Sequence, residues 1–280
     1  MRTYGLIGKS LGHSFSAGFF KDFFEKNEVD AEYRNFELPE IQEISKVFDL
    51  HPSGLNVTIP YKESVIPFLD ELSEEACAIS AVNCIQFLDG KKIGHNTDAY
   101  GFQQSVKPFL TFHHERALVL GTGGASKAVA FVLKNIGIDV LTVSRSPEGA
   151  KQFAYKDVNE HMLRACKLVV NCTPVGTHPA IHDVILFPFD HLSSEHLVVD
   201  LIYNPAKTRF LELAEQAGAT ILNGESMLQH QALRSWKIWN EDTFTTENGR
   251  TLASAGLGAR VYLANRFVLD AAWARPFDKP

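Results

Sequence analysis

Residues 54–63 read GLNVTIPYKE: Leu55, Val57 and Ile59 alternate with Asn56 and Thr58, Pro60 follows, and Lys62 stands two residues on. The alternation predicts a half-buried strand, and a proline that cannot donate to a ladder ends it. A strand that carries an amide and a hydroxyl and presents a lysine at its tip is organised for a ligand. The second titratable residue of interest, Asp98, lies in HNTDAYG beside Asn96 and Thr97. A lysine can protonate an alkoxide, or deprotonate an alcohol, when burial brings its pKa down from about 10.4. A neighbouring carboxylate opposes that fall, so Asp98 is assigned to orienting the lysine and the substrate. In isolation such a pair is more often a solvated contact worth at most about 1 kcal/mol, and the surrounding residues decide between the two.

Those surroundings are polar at one place after another. Ser14 and Ser16 follow the first apolar run, Asn56 and Thr58 belong to the third, and Asn83 sits in AVNCI. In open α/β sheets ligands bind beyond the carboxyl ends of the strands. Short hydroxyls and amides repeated there suit a small polyhydroxylated substrate, although each alone is common as a cap or turn residue. A cofactor signal lies downstream. VLGTGGAS places Gly121, Gly123 and Gly124 between a strand and a helix, with Ser126 where the dinucleotide fingerprint has Gly or Ala. Such a turn lets backbone amides approach a pyrophosphate at the helix start. NAD-binding folds carry an acid about 20 residues further on, on the ribose 2′-hydroxyl. Here that region reads VSRS, with Ser144, Arg145 and Ser146 and no acid. An arginine flanked by serines suits a 2′-phosphate, so NADP is the expected cofactor.

The elements that must hold these groups are readable by period. TYGLIG, AEYRNFEL and GLNVTI predict strands, and the phenylalanines at 19, 20, 23 and 24 predict a helix capped by Ser16. IQEISKVF predicts a further helix, and VNCIQFLDGKKIGHN a hairpin turning at Asp89-Gly90. RALVLG, DVLTVSR, KLVVNCT and HLVVDLIY are β-branched runs without polar alternation, as in parallel strands covered on both faces. GGASKAVAFVLKNIG predicts a helix ending at Gly137, and ESMLQHQALRSWKIWN and GARVYLANRFVLDAAW predict C-terminal helices around a loop at 243–257. The fold class is α/β, with an N-terminal α/β substrate domain over 1–98 and a Rossmann-like doubly wound NADP-binding domain over 99–230. C-terminal helices over 231–280 return to the first domain. The 280 residues are 45% hydrophobic, ample for two cores, and the net charge of −6 with no basic run argues against nucleic acid or an anionic membrane as partner. The four cysteines show no pairing or zinc spacing, and no signal peptide or membrane span is visible, so a reducing, cytoplasmic setting is expected.

Taken together, GLIG and HSFS, NVTIPYKE, AVNCI, HNTDAYGF, GTGGAS, VSRS, NCTPVGTHP, DLIYNPAKT and NGESMLQHQA resemble the shikimate dehydrogenase family along nearly the whole chain. The resemblance implies NADP-linked interconversion of 3-dehydroshikimate and shikimate in chorismate and aromatic amino-acid biosynthesis. It puts the catalytic lysine on Lys62 and its companion aspartate on Asp98. Substrate contacts fall on Ser14, Ser16, Thr58, Asn83, Tyr203 and Gln231. Cofactor contacts fall on Gly121, Thr122, Gly123, Gly124, Ala125, Ser144, Arg145, Leu201 and Gly224, and an acidic position near the cofactor on Glu74. Ala17 stands where the family has proline, VSRS replaces N-R-T, and Glu225 and Ser226 replace small or apolar residues; none touches the acid–base pair. The implied assembly is a monomer or homodimer, with no metal.

Three other readings use the same residues. A quinate/shikimate dehydrogenase would use NAD, which Arg145 and the missing acid disfavour. Methylenetetrahydrofolate dehydrogenase shares the architecture, but the serine pair and N-T-D fit a polyol acid better. A non-catalytic NADP-sensing module would have no need of both Lys62 and Asp98. Turnover on an aminated analogue of the same acid is compatible with the sequence.

Overall fold

The computed structural model describes residues 1–12, 14–240, 262–263 and 267–268. The chain divides into two units, Met1–Asn240 and Glu241–Pro280. The first unit contains β1 (Arg2–Gly8), α1 (Phe15–Lys26), β2 (Ala31–Glu37), α2 (Ile44–Phe48), β3 (Gly54–Val57), β4 (Glu71–Leu72), α3 (Glu74–Ile79), β5 (Cys84–Leu88), β6 (Lys91–His95) and α4 (Thr97–Val106). It continues with β7 (Arg116–Leu120), α5 (Gly124–Asn135), β8 (Asp139–Ser144), β9 (Gln152–Ala154), α6 (Glu160–Ala165), β10 (Leu168–Asn171), β11 (Leu197–Asp200), α7 (Arg209–Gln216), β12 (Thr220–Leu222) and α8 (Glu225–Trp239).

The first sheet runs β2-β1-β3-β5-β6-β4. Its β1, β2 and β3 are parallel, while β5 lies antiparallel to both β3 and β6, the predicted hairpin. Period-two geometry sorts β3 into two faces. Leu55 and Val57 join Ile7, Ile44 and Ile85 in one core. Asn56 points the other way, towards Ser235 on α8. On that second face Tyr4 stacks on Trp239 at 5.0 Å and meets Trp236 edge-on at 5.4 Å, so α8 lies across the first sheet.

The second sheet runs β12-β11-β10-β7-β8-β9, every neighbouring pair parallel. From β7 the chain steps outward to β8 and β9, then crosses back to β10, so the order reverses between β7 and β10. That reversal is the crevice where doubly wound sheets bind nucleotides. Ala117 and Val119 of β7 face one core and Leu118 and Leu120 the other, and all four are fully buried. This two-sided burial explains the missing polar alternation.

Three expectations need correction. Ser14, not Ser16, occupies the cap position of α1; Ser16 is inside its first turn, because the helix starts at Phe15. The expected boundaries at 98/99 and 230/231 fall within α4 and α8, which run unbroken from 97 to 106 and from 225 to 239. In the second unit, Tyr262–Leu263 pairs antiparallel with Phe267–Val268 where a helix was expected over 258–273. Aromatic and β-branched residues at those positions favour the extended form. The remainder of that predicted helix, and the predicted loop at 243–257, lie outside the described residues.

Candidate active site

Lys62 is presented by a turn pinned on both sides. After β3 the Thr58 amide still donates to Ile7 O at 2.8 Å, and the Tyr61 amide then donates back to Thr58 O at 2.9 Å. Tyr61 is buried, with its hydroxyl donating to Leu38 O at 2.6 Å. The Lys62 carbonyl accepts from the Val82 amide at 2.7 Å, fixing the backbone on the far side. From there Nζ reaches Asp98 Oδ2 at 2.6 Å, with the side chains 17% and 7% exposed. The pair is therefore largely withdrawn from water, unlike the solvated contact the sequence alone allowed. Asp98 sits in the first turn of α4, which Asn96 caps by accepting from the Ala99 amide at 3.2 Å. A carboxylate is favoured at that end of the helix dipole.

Asn83 holds the other carboxylate oxygen, donating to Asp98 Oδ1 at 2.8 Å. Its carbonyl oxygen accepts from the Thr97 amide at 2.6 Å, and Gln231 Oε1 lies 3.4 Å from its Nδ2. Hence Lys62, Asp98, Asn83 and Gln231 form one cluster, with residues drawn from the turn after β3, the start of β5, α4 and α8. Asp98 accounts for one of the three N–H bonds of the Lys62 ammonium.

The glycine turn meets this cluster. Gly121 adopts φ +107°, a conformation that disfavours side chains, and its amide donates to Val143 O at 2.8 Å. α5 begins at Gly124 with Gly123 as its cap, and Ser126 Oγ donates to Gly123 O at 2.6 Å. As at any helix start, its first amides lack intrahelical acceptors and face an incoming anion. A Cβ built on Gly124 would lie 3.5 Å from Lys62 Cβ and 3.7 Å from Lys62 Cδ. The lysine stem thus rests against the nucleotide turn itself. Lys127 of α5 also pairs with Glu63 at 2.6 Å, joining the same two segments.

A family model for the shikimate dehydrogenase substrate binding domain matches residues 6–85. An NADP(+)-dependent shikimate dehydrogenase of Pyrococcus abyssi is 39% identical over 247 residues, spanning 85% of this chain and 92% of that one. The chain belongs to the shikimate dehydrogenase family. Shikimate 5-dehydrogenase of Thermus thermophilus, solved in complex with NADP(H) and shikimate, superposes with a TM-score of 0.77 at 30% identity, covering 86% of this chain and 94% of that one. A quinate dehydrogenase of Corynebacterium glutamicum, solved in complex with NAD, superposes with a TM-score of 0.76 at 27% identity, covering 86% and 94%.

The remaining residues expected of a shikimate dehydrogenase stand at the starts of α1 and α8 and at or beyond the ends of β3, β8 and β11. Ser14 Oγ is buried and has no hydrogen-bond partner among the described residues. Ser16 bonds the Tyr33 hydroxyl. Phe15, between the two serines, meets the Tyr203 ring edge-on at 5.5 Å, which brings a residue following β11 onto the start of α1. Thr58 packs where β1 ends: a Cβ on Gly8 would come within 2.8 Å of its Cγ2. Leu201, just after β11, and Gly224, the cap of α8, lie against each other, with the Gly224 amide donating to Ile202 O at 3.0 Å. A Cβ on Gly224 would stand 2.0 Å from Leu201 O, so glycine alone fits there.

At the end of β8, Ser144 is buried and accepts from the Ser146 amide at 3.1 Å, which shapes the turn. Arg145 is exposed beside Tyr155, whose phenol burial pushes up and the guanidinium pulls down. Among the described residues Arg145 makes no ion pair. These residues fit an adenosine 2′-phosphate: a cationic fork, a hydroxyl and no competing carboxylate. Glu74 is exposed in the first turn of α3 and makes no bond to the Lys62 cluster.

Sequence reasoning missed Asp200. It is fully buried at the end of β11, where its carboxylate accepts from Thr208 Oγ1 at 2.6 Å, Asn171 Nδ2 at 3.0 Å and the Ile202 amide at 3.1 Å. Burial pushes its pKa up to about 6, against the pull of those donors. It ties the ends of β10 and β11 together beside the crevice. An acid ending an apolar β-branched run was the available signal. Tyr33 and Ser235, also part of the polar cluster, had no assigned role, and Asn56, read as facing a ligand, instead bonds Tyr33, Asn83 and Ser235; these partners lie far away in sequence.

Proposed function

We propose that this protein catalyses the NADPH-dependent, reversible reduction of 3-dehydroshikimate to shikimate, serving chorismate and aromatic amino-acid biosynthesis. The observation that carries the reading is the buried Lys62–Asp98 pair at 2.6 Å, packed against the glycine turn of a doubly wound sheet. A bound nicotinamide would supply or accept the hydride, held by Gly121 to Ala125, Ser144 and Arg145, Leu201 and Gly224. Lys62 delivers the proton to the oxygen of the reduced carbonyl, and in reverse it takes the proton from the alcohol. Asp98 holds the ammonium in line and receives a substrate hydroxyl. Asn83 and Gln231 orient the remaining hydroxyls, while Ser14 and Ser16, with Thr58 and Tyr203, hold the other end of the substrate. Low exposure of the pair strengthens every such interaction by excluding water.

Arg145 and the absence of an acid at the end of β8 support NADP over NAD. Similarity to an NAD-bound quinate dehydrogenase keeps a second substrate pair in the test. The net charge of −6 suits a cytoplasmic enzyme acting without nucleic acid, and no helix among the described residues is long and apolar enough to cross a membrane. The test is a steady-state comparison of shikimate and quinate, each with NADP+ and NAD+, following reduced nicotinamide. Shikimate with NADP+ should give the highest kcat/KM. A higher value for quinate with NAD+ would replace this reading with the second, and cofactor binding without turnover on either acid would indicate a sensor.

A further inference from the structure

Ser235 lies on α8, is fully buried, and touches neither Lys62 nor Asp98. Its hydroxyl nevertheless joins the two halves of the polar cluster. One turn back in the helix, Gln231 O lies 3.0 Å from Ser235 Oγ and can only accept, so the Ser235 hydrogen goes there. The Ser235 oxygen then has lone pairs alone to offer its other neighbours. It accepts from Asn56 Nδ2 at 2.9 Å and from the Thr97 hydroxyl at 3.2 Å.

Backbone groups, the Thr97 amide and the Asn83 carbonyl, fix which way the Asn83 and Asn56 side chains lie, and the Ser235 oxygen offers the Thr97 hydroxyl its acceptor outside that pair. With its hydrogen committed to Ser235, Thr97 Oγ1 accepts from Asn83 Nδ2 at 3.0 Å. The Thr97 amide occupies the Asn83 carbonyl oxygen at 2.6 Å, so the second Asn83 N–H is the one that reaches Asp98 Oδ1 at 2.8 Å. On the other side Asn56 Nδ2 also donates to Asn83 O at 3.1 Å, and Asn56 Oδ1 accepts from the Tyr33 hydroxyl at 2.9 Å. Every amide in the chain therefore has one orientation. Remove the Ser235 oxygen and the Thr97 hydrogen must find another acceptor. Those within reach are Asn83 Oδ1 at 3.2 Å and Gln231 Oε1 at 3.4 Å. Turned towards either, the hydroxyl presents its hydrogen on the side where its oxygen now accepts from Asn83 Nδ2, which weakens the 3.0 Å bond that helps steer that amide towards Asp98.

We propose that Ser235 is a positioning residue for the Lys62–Asp98 pair, acting through Thr97 and Asn83 to keep the Asn83 amide donating to the carboxylate. The inference rests on the oxidoreductase reading above and extends it to a side chain outside the reacting groups. A carboxylate that loses a donor becomes harder to ionise, so the consequence reaches the pH dependence as well as the rate.

The experiment compares the full-length wild type with Ser235→Ala, Thr97→Val, Asn83→Ala and the Ser235→Ala/Asn83→Ala double variant, with shikimate and NADP+ across pH. Thr97→Val removes the same hydrogen bond from its other end, which covers the case in which Ser235→Ala fails to fold. Ser235→Ala should lose about tenfold in kcat, the effect of one neutral hydrogen bond, and Thr97→Val, which also removes the acceptor for Asn83 Nδ2, at least as much, with the KM for NADP+ unchanged in both. The acidic limb of their kcat profile should move to higher pH. In the Asn83→Ala background, Ser235→Ala should cost no further rate. An unshifted acidic limb, or the same loss with and without Asn83, would reduce Ser235 to a packing residue and overturn the proposal. A wild type inactive on shikimate would instead remove the functional reading on which the proposal stands.

Discussion

The two sheets of the first unit handle polarity in opposite ways. In the parallel sheet, β7, β10 and β11 are apolar along almost their whole length, and polar groups appear only where strands end: Gly121, Asn171, Asp200. The ligand contacts proposed there fall to backbone amides and turn residues. The mixed sheet keeps an apolar core on one face but buries a polar cluster where α4 and α8 meet it, with Asn56, Asn83, Thr97, Asp98, Gln231 and Ser235 joined by hydrogen bonds. One half supplies a shaped turn, and the other supplies a satisfied side-chain network whose members are costly to remove singly. The arrangement teaches that cofactor chemistry and acid–base chemistry rest on different kinds of precision, and each should fail differently.

The largest effect should come from the network's centre. Lys62→Met should lower kcat by about 10²–10⁴-fold, the usual worth of a general acid–base group, while substrate affinity measured by calorimetry changes little. On the turn side, Gly224→Ala should fail through geometry. Its Cβ would sit 2.0 Å from Leu201 O, so the backbone must move, and the urea midpoint should fall by the equivalent of about 3 kcal/mol, the upper end for an overpacked site. Next in size is Arg145→Ala, which removes a charged hydrogen-bond donor worth about 1.5–3 kcal/mol. The KM for NADP+ should rise about 10–100-fold, with the value for NAD+ nearly unchanged.

The smallest expected effect, a pH dependence of stability, sets the two sheets directly against each other. Asp200 has its folded pKa raised to about 6 by burial, so its contribution is complete below the unfolded value of 3.8 and is lost as pH rises through 6. His95 of the mixed sheet has its pKa lowered to about 4, by burial and then by Arg234, and its Nε2–H donates to Gln86 Oε1 at 3.1 Å. Its contribution is complete above 6.5 and is lost as pH falls through 4. The slopes oppose each other between pH 4 and 6. Melting curves should therefore show His95→Gln gaining stability on acidification relative to wild type, and Asp200→Asn losing it. Each difference should be on the order of 2 kcal/mol. Parallel profiles for all three proteins would contradict these assignments.

Legibility in the sequence followed the same division. The glycine turn, the β-branched parallel strands and the acid-free end of β8 are local patterns, and the structure realises them as a doubly wound sheet. The hairpin at Asp89-Gly90 was equally plain. Lys62 and Asp98 were readable as chemistry, yet their separation of 36 residues hid the burial that distinguishes them from a surface pair. Asn56 and Ser235 are 179 residues apart, and no period or motif connects them; only the packing of α8 across the first sheet does. The cap of α1 was misplaced by two residues because Ser14 and Ser16 are chemically the same choice. Tyr262 and Phe267 show how a helical spacing of apolar residues can also serve a short ladder.

A crystal structure with NADP+ and shikimate bound would measure the central geometry outright. Lys62 Nζ should lie within about 2.6–3.2 Å of the hydroxyl being oxidised, with Asp98 still holding the ammonium and the nicotinamide against the Gly121–Ala125 turn. A reacting hydroxyl beyond the reach of Nζ, or a substrate bound away from that turn, would contradict the assignment of Lys62 as proton donor and acceptor.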